Sequence, residues 1–413
     1  MLQYSTRALP EISVHNSIKP NTANINNAEN SIMPTQYERT SRTQIIGKLA
    51  TTCLTLVAIF CVLNPPALNA AQTDRDTLFS QRVQTAVDEH VMPRLKQLVS
   101  STRSLSRAVK NACTTGSIDA WDETRFRFEA AVLSWAGVAH LRFGPFELLA
   151  RARRLSFHPD PRGIVWRQLR RALAKSDPAL LELGTLAKQS IALQGLTALE
   201  LLLANPITVG KNATPVDVYK CAFASAVAAN VFTTSQDALA EWSKRGGWRE
   251  RLLSPAETNK FYETQTESIT ELAKSALLGF QIIRDQQIGI IRKTMLGLTK
   301  LSQLPYYRSH LSDPYLRASI DGVCELFEKL DLVTLVPDKK ISLKGTASKT
   351  CRDLRQTSKA LIVPYANDDF PGKLTDAVVL KLYRSSNKMR LIIGRDIAPT
   401  VGLTMGFNSL DGD

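Results

Sequence analysis

The chain has 413 residues, 44% hydrophobic and 22% charged, with a formal net charge of +14. Such a composition excludes a disordered chain, and the absence of any apolar run of about 18 residues or more excludes a multi-span membrane protein. The basic residues are dispersed, without a long Lys/Arg block, zinc-finger spacing or aromatic-basic signature, so no nucleic-acid partner is expected.

The first forty or so residues are polar and aperiodic. After them come Arg39, Arg42 and Lys48, an uncharged run over 49–63, then Pro65, Pro66 and the small residues that end in Ala70 and Ala71. This is the order of a secretory signal, with cleavage expected after Ala70 or Ala71. Met33 as the start would give that signal an ordinary length. Residues 1–71 therefore read as an N-terminal extension and signal. The signal is the only segment expected at the membrane, and the mature chain is expected in the periplasm. Cys113, Cys221, Cys324 and Cys351 remain after cleavage, and an even number in an oxidising compartment points to disulfides. Pairing within each half of the chain gives Cys113 with Cys221 and Cys324 with Cys351.

Along the mature chain the hydrophobic period is helical. A helix is expected over 78–112, with Pro93 as a kink or restart. The next, over 119–141, places Trp121, Phe128 and Trp135 at seven-residue steps that then reach Arg142, just before Gly144 and Pro145. A turn at 157–163 (FHPDPRG) holds Asp160. Asp177 and Pro178 should open a helix that runs to Leu203 and carries Glu200 in an apolar stripe with Leu186, Leu193 and Leu196. A carboxylate there needs a cation, a metal or water, so it marks either a structural ion pair or a working site. Gly195 in the same stretch implies close approach by another backbone or a ligand.

Further helices are expected over 216–242, over 256–301 behind a capping box of Ser254 and Glu257, and over 314–330, 348–361 and 372–391. Strand patterns are absent. The fold class is all-α: two antiparallel, four-helix-bundle-like helical bundles, at 75–250 and 254–413.

Five separated blocks resemble the imelysin-like family, also classed as the M75 peptidases: FRFEAAVLSWAGVAHLRFGP (126–145), FHPDPRG (157–163), QGLTALELLL (194–203), YYRSHLSDPYL (306–316) and GLTMGFNSLDGD (402–413). The resemblance implies an exported, iron-associated envelope protein and an internal duplication behind the two bundles. It also implies a Gly-x-His-x-x-Glu motif on one helix turn. Gly195 and Glu200 match that motif, whereas Thr197 stands at the His position; Arg142 and Asp160 match other motif positions. Iron or another divalent metal is the cofactor the family suggests, with Glu200 as its candidate ligand. A Thr hydroxyl is a poor ligand for either iron or zinc.

No HExxH or GxSxG occurs, and His90, His140, His158 and His310 are not paired at helical ligand spacing. The expected function is thus an envelope module that binds a metal, a small ligand or a peptide, without peptidase activity. An M75-type metallopeptidase and a periplasmic scaffold are the alternatives. Glu200 is expected to pair with Arg142, with Asp160 as a second acceptor.

Overall fold

The structure is a computed structural model that describes residues 66–340, 342–365 and 372–406, and every regular element among them is helical. The signal-like stretch at 39–63 lies outside them. α1 (Pro66–Ala86) runs across Ala70 and Ala71 into a π-helical turn at Val87–Val91, and α2 (Met92–Thr115) follows. Pro93 has no N–H for the ladder, and the backbone widens just ahead of it. α3 (Ile118–Ala136) begins on Ser117, whose hydroxyl accepts the Ala120 N–H. It ends well before Arg142, so the aromatic stripe stops at Trp135 and an irregular turn follows.

The single helix expected from Asp177 to Leu203 is instead broken. After α4 (Arg151–Leu155) and α5 (Ile164–Lys175) come a 3-10 turn at Pro178–Leu181, α6 (Leu183–Leu186), a second turn at Ile191–Leu193 and α7 (Gly195–Leu203). Asp177 and Ser190 each accept a backbone N–H two residues on, a local bond that competes with helix continuation. Gly195, at the very start of α7, has φ +81°, so the chain cannot run helically through it from the preceding turn. A β-carbon there would lie 2.2 Å from the Arg154 carbonyl oxygen, so the close backbone approach expected of this glycine is real.

α8 (Pro215–Ser243) opens with a capping box of Thr214 and Asp217, and α9 (Trp248–Leu253) follows. The long helix expected over 256–301 begins later. The Asn259 side-chain oxygen accepts the Phe261 and Tyr262 N–H groups, which holds that stretch in a turn. The capping pair is Thr264 with Glu267 rather than Ser254 with Glu257. α10 (Gln265–Ile282) then passes through a π-turn at Ile283–Ile288 into α11 (Gly289–Met295). α12 (Ser312–Leu330), α13 (Ser342–Lys359) and α14 (Gly372–Leu391) follow, and α14 runs into a π-turn at Ile392–Ile397.

Packing sorts these helices into two antiparallel bundles. α2 lies against α3 and α8, with α7 on α8; α10, α12, α13 and α14 form the second group. Trp135, Phe223 and Trp242 fill the first core, and Phe280, Leu316 and Leu326 the second. Cys113–Cys221 ties α2 to α8 and Cys324–Cys351 ties α12 to α13, one bridge per bundle as expected. α3 packs on α12 and joins the two groups, and the described residues from Ala67 onward form one compact unit. At this seam a β-carbon on Gly322 would lie 2.4 Å from the Gly137 carbonyl oxygen, so only glycine lets α12 approach the turn after α3. None of the described helices is long and apolar enough to cross a membrane.

Candidate functional site

Glu200 sits in the middle of α7, only 4% exposed. Its Oε1 accepts the Ser309 backbone N–H at 3.0 Å. Burial dominates its electrostatics and pushes the carboxyl up to about 7, against the smaller opposing pull of the Ser309 bonds and the Arg308 charge. The cavity it faces, of about 130 Å³, is also lined by His158, Asp160, Thr197, Tyr306 and Arg308. Two polar atoms of that wall, His158 Nε2 and Thr197 Oγ1, are buried with no hydrogen-bond partner of good geometry among the described residues. Burial depresses the His158 imidazole to about 4, and the Gln286 carbonyl on its other side favours an N–H there. The ring is therefore neutral at pH 7, with a bare Nε2 acceptor.

The expected Glu200–Arg142 pair does not form. Arg142 lies in the turn after α3, where its Nε donates to the Ala139 carbonyl at 2.7 Å and its guanidinium lies 5.7 Å from the Trp135 ring centroid. The helix that would have carried it toward Glu200 ends at Ala136. Nor is Asp160 a second acceptor for Arg142. Its two carboxylate oxygens accept the Ile164 and Val165 N–H groups and cap α5 at 2.8 and 2.9 Å. Thr197, Glu200 and Asp160 thus share one cavity, Gly195 seats the start of α7 against the α4 backbone, and Arg142 stands apart.

Sequence reasoning missed the turn that supplies Glu200 with its partners, although the block at 306–316 had singled it out. Tyr306 and His310 both adopt left-handed backbone, with φ of 53° and 59°. Non-glycine residues hold such angles only where their surroundings enforce them. The buried Tyr306 hydroxyl bonds Ser156 Oγ at 2.7 Å, and the Leu311 N–H returns to the Tyr306 carbonyl at 3.0 Å. Arg308, exposed at the tip, lines the Glu200 cavity and two neighbouring concavities.

A second polar cluster lies at the seam between the bundles. His90, in the first π-turn, and His140 are both buried, with Nε2 to Nε2 at 3.2 Å, and His90 Nδ1 lies 3.1 Å from Glu325 Oε2 on α12. His90 Nδ1–H donating to Glu325, and His140 Nε2–H donating to His90, is the arrangement that satisfies both contacts with neutral rings. Glu325, bonded by His90 and flanked by Arg94, is held down to about 2. The two histidines lie fifty residues apart, and no helical spacing could have paired them.

The residues at hand do not fit a resident metal. Among the described residues no three His, Cys, Asp or Glu side chains are grouped to hold one. Glu200 spends one oxygen on a backbone N–H and has Arg308 beside it, while Thr197 stands where the family places its His.

The fold is similar to two solved structures. One is an imelysin-like protein from Psychrobacter arcticum, with a TM-score of 0.62 and 17% identity, covering 80% of this chain and 98% of that one. The other is a putative iron-regulated protein A precursor from Parabacteroides distasonis, with a TM-score of 0.62 and 13% identity, covering 77% and 94%. A comparison with curated proteins finds no match. The family model of imelysin, the M75 peptidase class, matches residues 91–377, and the chain belongs to that family.

Proposed function

We propose that this imelysin-family protein is exported to the periplasm, where it holds a ligand in the Glu200 cavity without cleaving peptides. The observation that carries this reading is a cavity that brings the buried Glu200 carboxyl together with His158, Thr197, Tyr306 and Arg308. A carboxyl, an imidazole, hydroxyls and a guanidinium around one concavity are the convergent polar groups that orient a bound molecule. Export is supported by the signal-like order of residues 39–71 and by two disulfides. The reading without peptidase activity is supported by the donor set, in which Thr197 stands at the motif's His position, since a metallopeptidase needs a metal with an open position and a general base.

Native mass spectrometry of protein recovered from a periplasmic fraction is expected to show a bound small molecule that Glu200→Gln loses. A wild-type protein that carries nothing, before or after incubation with periplasmic extract, would sink the ligand reading. N-terminal sequencing of the same sample is expected to begin at Ala71 or Gln72, and retention of the 49–63 stretch in membranes would defeat export. Incubation with a peptide library, with and without added iron or zinc, is expected to leave the peptides whole. Cleavage abolished by Glu200→Gln would restore the metallopeptidase alternative.

A further inference from the structure

We infer that the ligand is a small amphipathic organic monoanion, its acidic group on Arg308 and its apolar body along the cleft between α3 and the 203–209 segment. This rests on reading the Glu200 cavity as a ligand site. Arg308 is the residue that the cavity, the cleft beside Trp166 and Tyr365, and the larger α3 cleft have in common. Among the described residues no carboxylate lies within ion-pair distance of its guanidinium. The turn beneath it is set in place by the left-handed Tyr306 and His310 and by the Ser309 N–H on Glu200. The backbone at its tip is thus already placed, and the Arg308 side chain is what binding must still order.

The larger cleft, about 830 Å³, matches the size of a site for a small organic molecule. Trp121, Phe126 and Ile118 on α3 face Ile207 and Val209 across it, and Ile118 and Phe126 are 78% and 59% exposed. Single exposed apolar residues are ordinary, but several lining one concavity mark a contact surface. Three charged residues line this cleft: Arg125, which pairs with Asp122, Glu129, and Arg308. That leaves one cation to receive an anion, and Glu129 to disfavour a second acidic group on the same ligand. An anion on Arg308 also brings negative charge near Glu200, whose carboxyl already titrates near neutrality. Binding should therefore take up protons, and affinity should rise as pH falls from 8 to 6.

Calorimetric titration of the periplasmic protein with octanoate, 3-phenylpropionate, inorganic phosphate and octyltrimethylammonium tests this directly. An organic carboxylate is expected to bind at least ten-fold more tightly than phosphate or the cation. Arg308→Gln should weaken it at least ten-fold, Phe126→Ser should weaken it without changing the preference for an anion, and Glu200→Gln should both weaken it and remove its pH dependence. Arg308 and Phe126 are exposed, so melting curves near wild type are expected for both variants. Equal binding to wild type and Arg308→Gln, or equal binding of octanoate and phosphate, would overturn the inference. If none of these anions binds while the purified protein carries another molecule that Glu200→Gln loses, the inference falls and the proposed function stands. If no molecule is found by either route, both fall.

Discussion

At the scale of single residues, Glu200 is a carboxyl whose charged form burial disfavours. Its carboxyl is raised from an ordinary value of 4.5 to about 7, so the folded chain binds more protons than the unfolded chain between those limits. Its contribution is fully favourable below about pH 4.5 and is lost as pH rises through 7, roughly 3 kcal/mol in all by linkage. Glu200→Gln keeps an acceptor for the Ser309 N–H and carries no charge. Urea unfolding should show it more stable than wild type by about 1 to 3 kcal/mol at pH 8 and nearly equal at pH 4.5. Greater loss at pH 8 than at pH 4.5 would mean that Glu200 makes a favourable ion pair after all. Arg142 and Glu200 have separate partners, so their alanine variants should be additive within about 0.5 kcal/mol. Gly195→Ala should cost roughly 2 kcal/mol or more, because it forces a β-carbon to 2.2 Å from the Arg154 oxygen at φ +81°. A near-neutral unfolding midpoint would show that α7 can shift away from α4.

At the scale of elements, His90 links the π-turn at Val87–Val91 to the turn after α3 through His140 and to α12 through Glu325. Burial is the first cause that holds both imidazoles below 6.5, with Arg94 adding to it at each ring, Lys329 at His90 and Arg142 at His140. Glu325 opposes the shift at His90. Lowered folded values mean that the unfolded chain binds more protons. This stability is present above about pH 6.5 and lost as pH falls through the lowered values. Protonation also places two Nε2–H donors 3.2 Å apart, which breaks the histidine bond. Since Glu200 acts in the opposite sense over part of this range, the measurement belongs in the Glu200→Gln background. There, unfolding free energy should fall between pH 7 and pH 5, and His140→Gln should reduce the slope. A flat profile would remove the seam histidines from the acid response.

At the scale of the whole molecule, the two disulfides close loops of very different length, with sequence separations of 108 and 27 residues. Loop-closure entropy alone assigns about 5 kcal/mol to the first and about 3.5 kcal/mol to the second. Cys113→Ser with Cys221→Ser should therefore lower stability by roughly 1 kcal/mol more than Cys324→Ser with Cys351→Ser. The reverse order would indicate that residual structure in the unfolded first bundle already restrains its chain.

Apolar period, cysteine parity and the helix-closing prolines were enough to read an all-α chain with one bridge in each bundle, because these features act within a few residues or through simple counting. The helix over 372–391 and the starts near Pro215 and Ser312 were legible for the same reason. Glu200 was legible as a charge in an apolar stripe, but its partner was not. Whether a helix continues past Gly195 or Ala136 depends on what its neighbours press against it, and the sequence read both helices as unbroken. The Ser309 N–H reaches Glu200 across 109 positions and His90 meets His140 across 50. Contacts at such separations leave no local periodicity. They exist only once the bundles dock, with Gly322 admitting the turn that carries His140 and a strained loop delivering Arg308 to the mouth of the cavity. The sequence by itself determined the helices' apolar faces and the covalent ties. Tertiary packing decided which buried charges found partners and which polar groups were gathered around the Glu200 cavity, because desolvation and hydrogen bonding are properties of the assembled fold.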